Sequence, residues 1–345
     1  MKVMLVSPLP PPSGGMARWT QLYLTECTKQ GIEVNVVNTS LSEKRSKHKN
    51  RSFSFVDELS RTFRIVKDFR SCVVSFHPDI IHICSPCSRY GLFRDYICVV
   101  LARKLPVIFH CHCNIEDQAF TRLSKCILRR IVLKSKRIIV LNNSSKNVID
   151  KMQENKAILI PNFIEDRMVS AYHVISPFIK RLLYVGHVKI KKGISEIFFV
   201  ANVYKDIEFV IVGPVQELPD DMEQPRNVIF TGEVTHDNLS LYYEQADAFI
   251  FPSHTEGFAN VMLEAMASGL PIVSTDVGAN RDMIEEKGGI IIPPKNREAF
   301  VSAIAQLESP DLRMKMSVWN INKVRSNYTL SRVIQIIKRL YEEEV

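Results

Sequence analysis

Apolar residues in this chain come in short runs separated by longer stretches of mixed character. In the first half the runs fall at 2–7, 33–37, 80–84, 106–109, 137–141 and 157–160. Each has strand length, and most are nearly continuously apolar, the pattern of a strand buried on both faces. Between them, 18–30, 55–74 and 121–134 repeat apolar positions at helical spacing. The second half repeats the scheme, with runs at 181–185, 208–212, 227–231, 248–251, 271–274 and 289–292 and helical stretches at 193–203, 236–244 and 261–268. Strand–helix–strand alternation predicts parallel sheets covered on both faces, and its repetition predicts an α/β chain of two Rossmann-like, doubly wound domains. Residues 165–180 lack clear periodicity and contain Pro177, so the join is placed there: a first domain over 1–170, a second over 171–325, and a final helix over 326–345. In that helix Val333, Ile334, Ile336, Ile337, Leu340 and Tyr341 form one stripe, expected to pack back on the first domain. In two such domains facing across a cleft, the carboxyl ends of the strands are where ligands bind.

Composition narrows the picture. The 345 residues are 46% hydrophobic, enough for two ordinary cores. No apolar run approaches the roughly 20 residues that span a bilayer, and Met1 leads straight into a strand-like segment with no signal peptide. A cytoplasmic location is expected. The net charge of +8 is uneven: residues 1–175 carry +13 and residues 176–345 carry −5. Basicity alone raises nucleic-acid binding, but no aromatic-rich motif or finger spacing supports it, and the acidic second half argues against it. All eight cysteines lie in the first half. Cys84-x-x-Cys87 and Cys111-x-Cys113, with His110 and His112, offer metal-ligating residue types. The second spacing is wrong for zinc, and both pairs end apolar runs, so they are read as buried small hydrophobes and no metal site is expected.

The chemistry concentrates between residues 251 and 269. An apolar strand ends at Pro252-Ser253, a loop containing Gly257 follows, and helix formers run to a stop at Gly269. The backbone N–H groups of Phe258, Ala259 and Asn260 are expected at the helix start, where amides and the positive dipole end bind phosphate. Glu264 is expected in the second turn, where a carboxylate can accept two hydrogen bonds from a vicinal diol such as a ribose. Glu256 precedes the helix and can reach hydroxyls beyond the phosphates. Gly14-Gly15 follows the first strand and opens a helical stretch, so the backbone there can approach a phosphate closely.

Glu256 to Glu264, preceded by Pro252-Ser253 and followed by Ala265-Met266-Ala267, resembles the Glu-x7-Glu signature of the family 4 glycosyltransferases, retaining enzymes of the two-domain GT-B type. The likeness continues through Tyr184-Val185-Gly186-His187, Lys192-Gly193, 228–232, 245–247 and 270–273, and through Ser13-Gly14-Gly15 near the start. The resemblance implies a first domain that binds the acceptor and a second that binds a UDP-, GDP- or ADP-sugar donor. It implies that Glu264 holds the donor ribose, Glu256 contacts the transferred sugar, and Lys192 binds the diphosphate and stabilises the leaving group. It implies that His112 lies near the reacting sugar, with His110 a rival two positions away on the same strand face. Three positions depart from the family pattern. His187 stands where an Arg is usual, so protonation of His187, or Lys189 or Lys191, has to supply the missing charge. Asn162-Phe163-Ile164 replaces Asn-Gly-Val, and the late acid is Asp282.

The chain has no Asp-x-Asp, the motif that often carries a metal on the diphosphate, so charge handling by Lys192 and helix dipoles is expected instead. No cofactor is expected. The reading is thus of a retaining, metal-independent hexosyltransferase that acts on a glycan or lipid-linked acceptor, in bacterial surface polysaccharide synthesis by resemblance. A non-catalytic nucleotide-sugar-binding protein, or an epimerase or hydrolase of the same fold, is the alternative. Basic patches at 44–51, 61–70 and 122–137 raise peripheral contact with an anionic membrane surface. In the last, Leu123, Ile127, Leu128, Ile131 and Val132 interleave with Arg122, Lys125, Arg129, Arg130 and Lys134.

Overall fold

The computed structural model describes residues 1–11, 14–40, 55–118 and 120–345. Ser13 and the basic patch at 44–51 lie outside the described residues. The chain divides into two compact units, Met1–Asn162 with Leu330–Val345, and Phe163–Thr329. The expected joins at 170 and 325 lie a few residues from these. Residues after 162 already bond into the second unit, through the Ile164–Thr329 bridge and the Ser170 N–H to the Ala267 carbonyl at 2.9 Å.

The first unit is built on a six-stranded sheet in the order β2-β1-β3-β4-β5-β6. Its strands are β1 (Lys2–Ser7), β2 (Glu33–Asn38), β3 (Ile80–Ser85), β4 (Val107–Cys111), β5 (Arg137–Val140) and β6 (Ala157–Leu159), and every pairing is parallel. All six residues of β3 and all five of β4 are buried, which is why these strands read as unbroken apolar runs. The helices are α1 (Gly15–Lys29), α2 (Phe55–Phe76), α3 (Arg89–Leu101), α4 (Arg122–Lys134) and α5 (Asn143–Met152). Thr121 caps α4, its hydroxyl accepting from the Ser124 N–H at 3.1 Å. Ile127, Leu128, Ile131 and Val132 of that helix are all buried, so its apolar side is core and leaves Leu123 as the exposed apolar residue of the five named above. The C-terminal helix, Leu330–Glu344, buries Val333, Ile334, Ile337, Leu340 and Tyr341 and packs on α1, as its stripe predicts; Ile336 stays 40% exposed.

The second unit carries β7 (Arg181–Val185), β8 (Glu208–Val212), β9 (Val228–Gly232), β10 (Ala248–Phe251), β11 (Ile272–Thr275) and β12 (Gly289–Ile292), in the order β12-β11-β10-β7-β8-β9, again all parallel. Counted from β7, this is the 3-2-1-4-5-6 order of a dinucleotide-type doubly wound sheet. Its helices are α6 (Ile194–Val203), α7 (His236–Gln245), α8 (Asn260–Ala267), α9 (Asn280–Ile284), α10 (Arg297–Gln306) and α11 (Pro310–Asn327). Strand order reverses between β7 and β10, so the loops leaving these two strands flank the switch point, the position where open α/β sheets bind ligands. Among the described residues, no helix is long and apolar enough to cross a membrane.

Candidate functional site

Both loops at the switch point carry residues singled out from sequence. After β7 the chain passes Gly186 and His187 and makes a short helical turn at Ile190–Lys192. After β10 it runs through Pro252 to Ala259 into α8. Lys192 and Glu256, 64 residues apart in sequence, meet here: Lys192 Nζ donates to Glu256 Oε1 at 2.5 Å. Lys192 is 30% exposed and Glu256 12%, so the pair is shielded but open on one side.

Two features hold the loops together. Gly193 has φ +86, and a Cβ there would lie 2.2 Å from the Pro252 carbonyl oxygen, so only glycine lets the backbones approach this closely. The His254 N–H donates to the Lys191 carbonyl at 3.0 Å, and His254 Nε2 meets Glu196 Oε1, from the first turn of α6, at 3.1 Å. On the far side, Gly278, at φ +55, leaves no room for a Cβ against the Glu256 carbonyl oxygen at 2.3 Å, and the Ala279 N–H donates to the Gly257 carbonyl at 3.2 Å. His254, Glu196 and Gly278 thus buttress the loop that presents Glu256. His254 stands in the motif region but its partners Lys191 and Glu196 lie far away in sequence, while Gly278 packs back on that region from beyond it, so only the fold reveals what they do.

Helix α8 starts at Asn260, capped by Ala259, later than a start at Phe258 requires. Gly257 and Phe258 therefore belong to the incoming loop, and Phe258 turns its ring toward Tyr328 with centroids 6.1 Å apart. The positive end of α8 lies at Ala259–Asn260 rather than at Phe258. Glu264 is the fifth residue of the helix, in its second turn and half-buried. The Tyr243 hydroxyl donates to Glu264 Oε2 at 2.9 Å. Burial, with Glu264 beside it, pushes the Tyr243 phenol well above its ordinary pKa, so it stays a donor. Glu264 lines a pocket of about 330 Å³ together with Arg167, Leu239, Tyr243 and Ser268. His187 is exposed, and its Nδ1 lies 2.8 Å from the Gln216 side-chain amide, so a neighbour fixes the ring at the position where the family pattern has Arg.

The remaining candidates belong to the first unit. Gly14 caps α1 in extended conformation, φ −179, and a Cβ there would meet nothing within 4 Å. Neither backbone conformation nor packing within the described residues calls for glycine at that position. Gly15 is the first helical residue, and both glycines are exposed. His110 and His112 separate clearly. His110 is fully buried inside β4, with its Nδ1 3.2 Å from His82 Nε2. His112 stands just past the strand, anchored by its backbone N–H to the Ser85 carbonyl at 2.8 Å, and is partly exposed. Of the two, His112 is the more exposed residue, although its ring Nε2 is buried without a hydrogen-bond partner among the described residues. The cysteine pairs stay inside: Cys84, Cys87 and Cys111 are fully buried. The ligand atoms that converge are not the pairs weighed from sequence but those of His82, Cys84 and His110, all within 4.8 Å of one another. The two histidines of that trio already bond to each other, and burial pushes the Cys84 thiol up to about 12.

Comparison with known proteins bears on family and fold. The description "Glycosyltransferase Family 4" matches residues 13–167, and "Glycosyl transferases group 1" matches residues 179–309. Together with the two doubly wound units, these matches identify the chain as a member of the family 4 glycosyltransferases of GT-B fold. Over 119 residues it is 33% identical to the lipopolysaccharide core biosynthesis mannosyltransferase LpsB of Rhizobium meliloti, 33% of each chain. The matched segments span about half or less of the curated relatives' length, 33% for LpsB and 54% for the 2-deoxystreptamine N-acetyl-D-glucosaminyltransferase of Niallia circulans. In fold, the sucrose-phosphate synthase from Thermosynechococcus elongatus superposes with TM-score 0.79 at 16% identity, covering 99% of this chain and 98% of that one. Anabaena HepE in complex with UDP-glucose superposes with TM-score 0.73 at 14% identity, covering 99% of this chain and 100% of that one.

Proposed function

We propose that this chain is a glycosyltransferase that moves a hexose-type sugar from a nucleotide-diphosphate sugar to a glycan or lipid-linked acceptor, with retention at the anomeric carbon and without a metal. The observation that carries this reading is the Lys192–Glu256 pair at the switch point, with Glu264 one helix turn into α8. A diphosphate drawn to the positive start of α8 comes within reach of a lysine held on the adjoining loop. As the sugar leaves, negative charge grows on the diphosphate, and an ammonium there favours the transition state over the ground state. Glu256 faces the sugar as a hydrogen-bond acceptor. Glu256 is given no nucleophilic role, and departure and attack are placed on the same face of the sugar rather than through a covalent glycosyl-enzyme. Glu264 and the pocket beside it accept the ribose and its base.

LpsB and the HepE complex with UDP-glucose support the donor class and a surface-glycan setting. Peripheral contact with an anionic membrane keeps as support the basic residues of α4 and exposed Leu123, since the rest of its apolar stripe is core. The test is a thermal-shift screen with UDP-glucose, GDP-mannose and ADP-glucose. One of them is expected to raise the Tm by several degrees at saturating concentration. No shift with any of the three would count against a donor site. Turnover of the donor that binds is expected to survive EDTA, since Lys192 stands where a metal would otherwise neutralise the diphosphate. Loss on chelation, with recovery on adding magnesium or manganese, would overturn metal independence. A second reading, a nucleotide-sugar-binding protein without turnover, draws on His187 in place of an arginine, because a neutral imidazole cannot clamp a phosphate bidentately. Binding without turnover across many acceptors would favour it.

A further inference from the structure

We infer that Tyr341, on the C-terminal helix, is a positioning residue for His112, acting through a line of buried rings that runs Tyr23, Tyr341, His82, His110 and His112. This rests on the reading of His112 as the group beside the reacting sugar.

The geometry is continuous. The Tyr23 and Tyr341 hydroxyls are 2.8 Å apart. The Tyr341 hydroxyl hydrogen bonds His82 Nδ1, and His82 Nε2 meets His110 Nδ1 at 3.2 Å. The His110 and His112 rings stack, centroids 3.9 Å apart and 30° between planes. Register explains the placement: Cys84 pairs with His110 across β3 and β4, so His82 and His110 are diagonal neighbours on one face of the sheet. The helices α1 and C-terminal cover that face, α1 supplying Trp19 and Tyr23 and the C-terminal helix supplying Tyr341. A strand face of histidines leaves polar atoms under the covering helices, and Tyr341 satisfies one of them, His82 Nδ1.

The hydrogen bonds run consistently in one direction from Tyr23 to His110. Burial pushes both phenols well above their ordinary pKa, so each keeps its proton. Burial also pushes His82 and His112 down to about 3 and His110 well below its usual range, so all three rings are neutral. Tyr23 then donates to Tyr341, Tyr341 to His82 Nδ1, and His82 Nε2–H to His110 Nδ1. The remaining proton sits on His110 Nε2, an atom with no hydrogen-bond partner in the structure. The Trp19 ring stands 5.3 Å away at 85°, an edge-to-face arrangement in which an N–H lies better against a π face than a bare lone pair does. The chain therefore sets the tautomer and tilt of His110, on which the His112 ring rests. His112 has its backbone pinned by Ser85, and its ring is set by this stack.

The test uses the full chain carrying Tyr341→Phe, which removes one hydroxyl and keeps the ring. Side-chain nitrogen spectra of the 15N-histidine-labelled protein are expected to show His82 and His110 as Nε2–H tautomers, with His82 and His112 signals shifting in the variant. With the donor that binds in the screen above, kcat is expected to fall about tenfold while donor KM stays within twofold, the signature of a displaced group rather than a lost binding contact. Val99→Ala, a cavity in the core on the opposite face of the first unit's sheet, is the control for lost stability and is expected to leave kcat unchanged. Should Tyr341→Phe not fold, Tyr23→Phe, one hydroxyl further along, is expected to give the same pattern in weaker form. Unmoved His112 signals with unchanged kcat would overturn the inference. So would a stoichiometric metal held by His82, Cys84 and His110, which replaces the His82–His110 hydrogen bond. If the wild type turns over no sugar nucleotide, the functional reading fails, while the histidine spectra still decide the ring line.

Discussion

Lys192→Ala is expected to lower kcat about 100- to 1000-fold, the range seen when a preorganised charge-stabilising group is removed. Donor affinity is expected to fall much less, because the start of α8 and Glu264 still hold the nucleotide. The asymmetry follows from where Lys192 sits. Its Nζ is bonded to Glu256 in the structure, so part of its attraction for the diphosphate is spent in breaking that pair; the full gain comes only as charge builds on the departing phosphate. The variant also strands Glu256, a carboxylate 12% exposed, without its cation, and places a bare negative charge beside an anionic donor. Steady-state kinetics with the donor identified by thermal shift checks this. A loss in KM alone, with kcat kept, would mean that Lys192 binds donor and transition state equally well.

Gly193→Ala is expected to have an effect of similar size for a different reason. The added methyl would stand 2.2 Å from the Pro252 carbonyl oxygen, in a backbone conformation, φ +86, that costs a residue with a side chain on the order of 1 kcal/mol or more. Backbone cannot yield as the tip of a side chain does. The loop after β7 has to back away from the loop after β10, and Lys192, the residue just before, moves with it. Loss of stability of about 2–3 kcal/mol and a fall in kcat of about 100-fold are expected. Gly232→Ala separates the two causes. Gly232 also has positive φ, +74, but a Cβ there meets nothing within 4 Å. It is expected to show the conformational cost without the loss of turnover. Equal kinetic damage in both variants would mean that the clash with Pro252 is relieved at little cost.

Much of this fold is legible because parallel strands buried on both faces write themselves as unbroken apolar runs. β1, β7, β8, β10 and β12 begin and end where the apolar pattern does. The helix α11 shows what that pattern misses. Its buried residues include Arg313, Ser317 and Asn320; Arg313 Nε bonds to the Leu307 carbonyl at 2.8 Å, and Asn320 Nδ2 to the Leu270 and Gly288 carbonyls, both at 2.8 Å. With polar residues turned inside, the helix has no apolar stripe to read. The helix α3 hides for a related reason, since it buries an adjacent Arg94–Asp95 pair at 2.5 Å amid its apolar residues. At the site, Glu256, Glu264 and Lys192 were visible because the motif spacing names them. The reach of Lys192 to Glu256 and the buttress of His254 on Glu196 were not, because each joins loops about 60 residues apart in sequence. The ring line behind His112 is half legible: His110 on β4 and His112 just past it stand two positions apart, but Tyr341, which bonds His82 on β3, lies far along the chain and reads as one more member of an apolar stripe.

The central claim is that the second unit holds a nucleotide through the start of α8 and Glu264. Isothermal titration of the donor into wild type and into Glu264→Ala tests it most directly. The account predicts that affinity falls about 30-fold or more, on the order of 2 kcal/mol, as expected for loss of a charged acceptor from two ribose hydroxyls. An affinity unchanged in Glu264→Ala would contradict it.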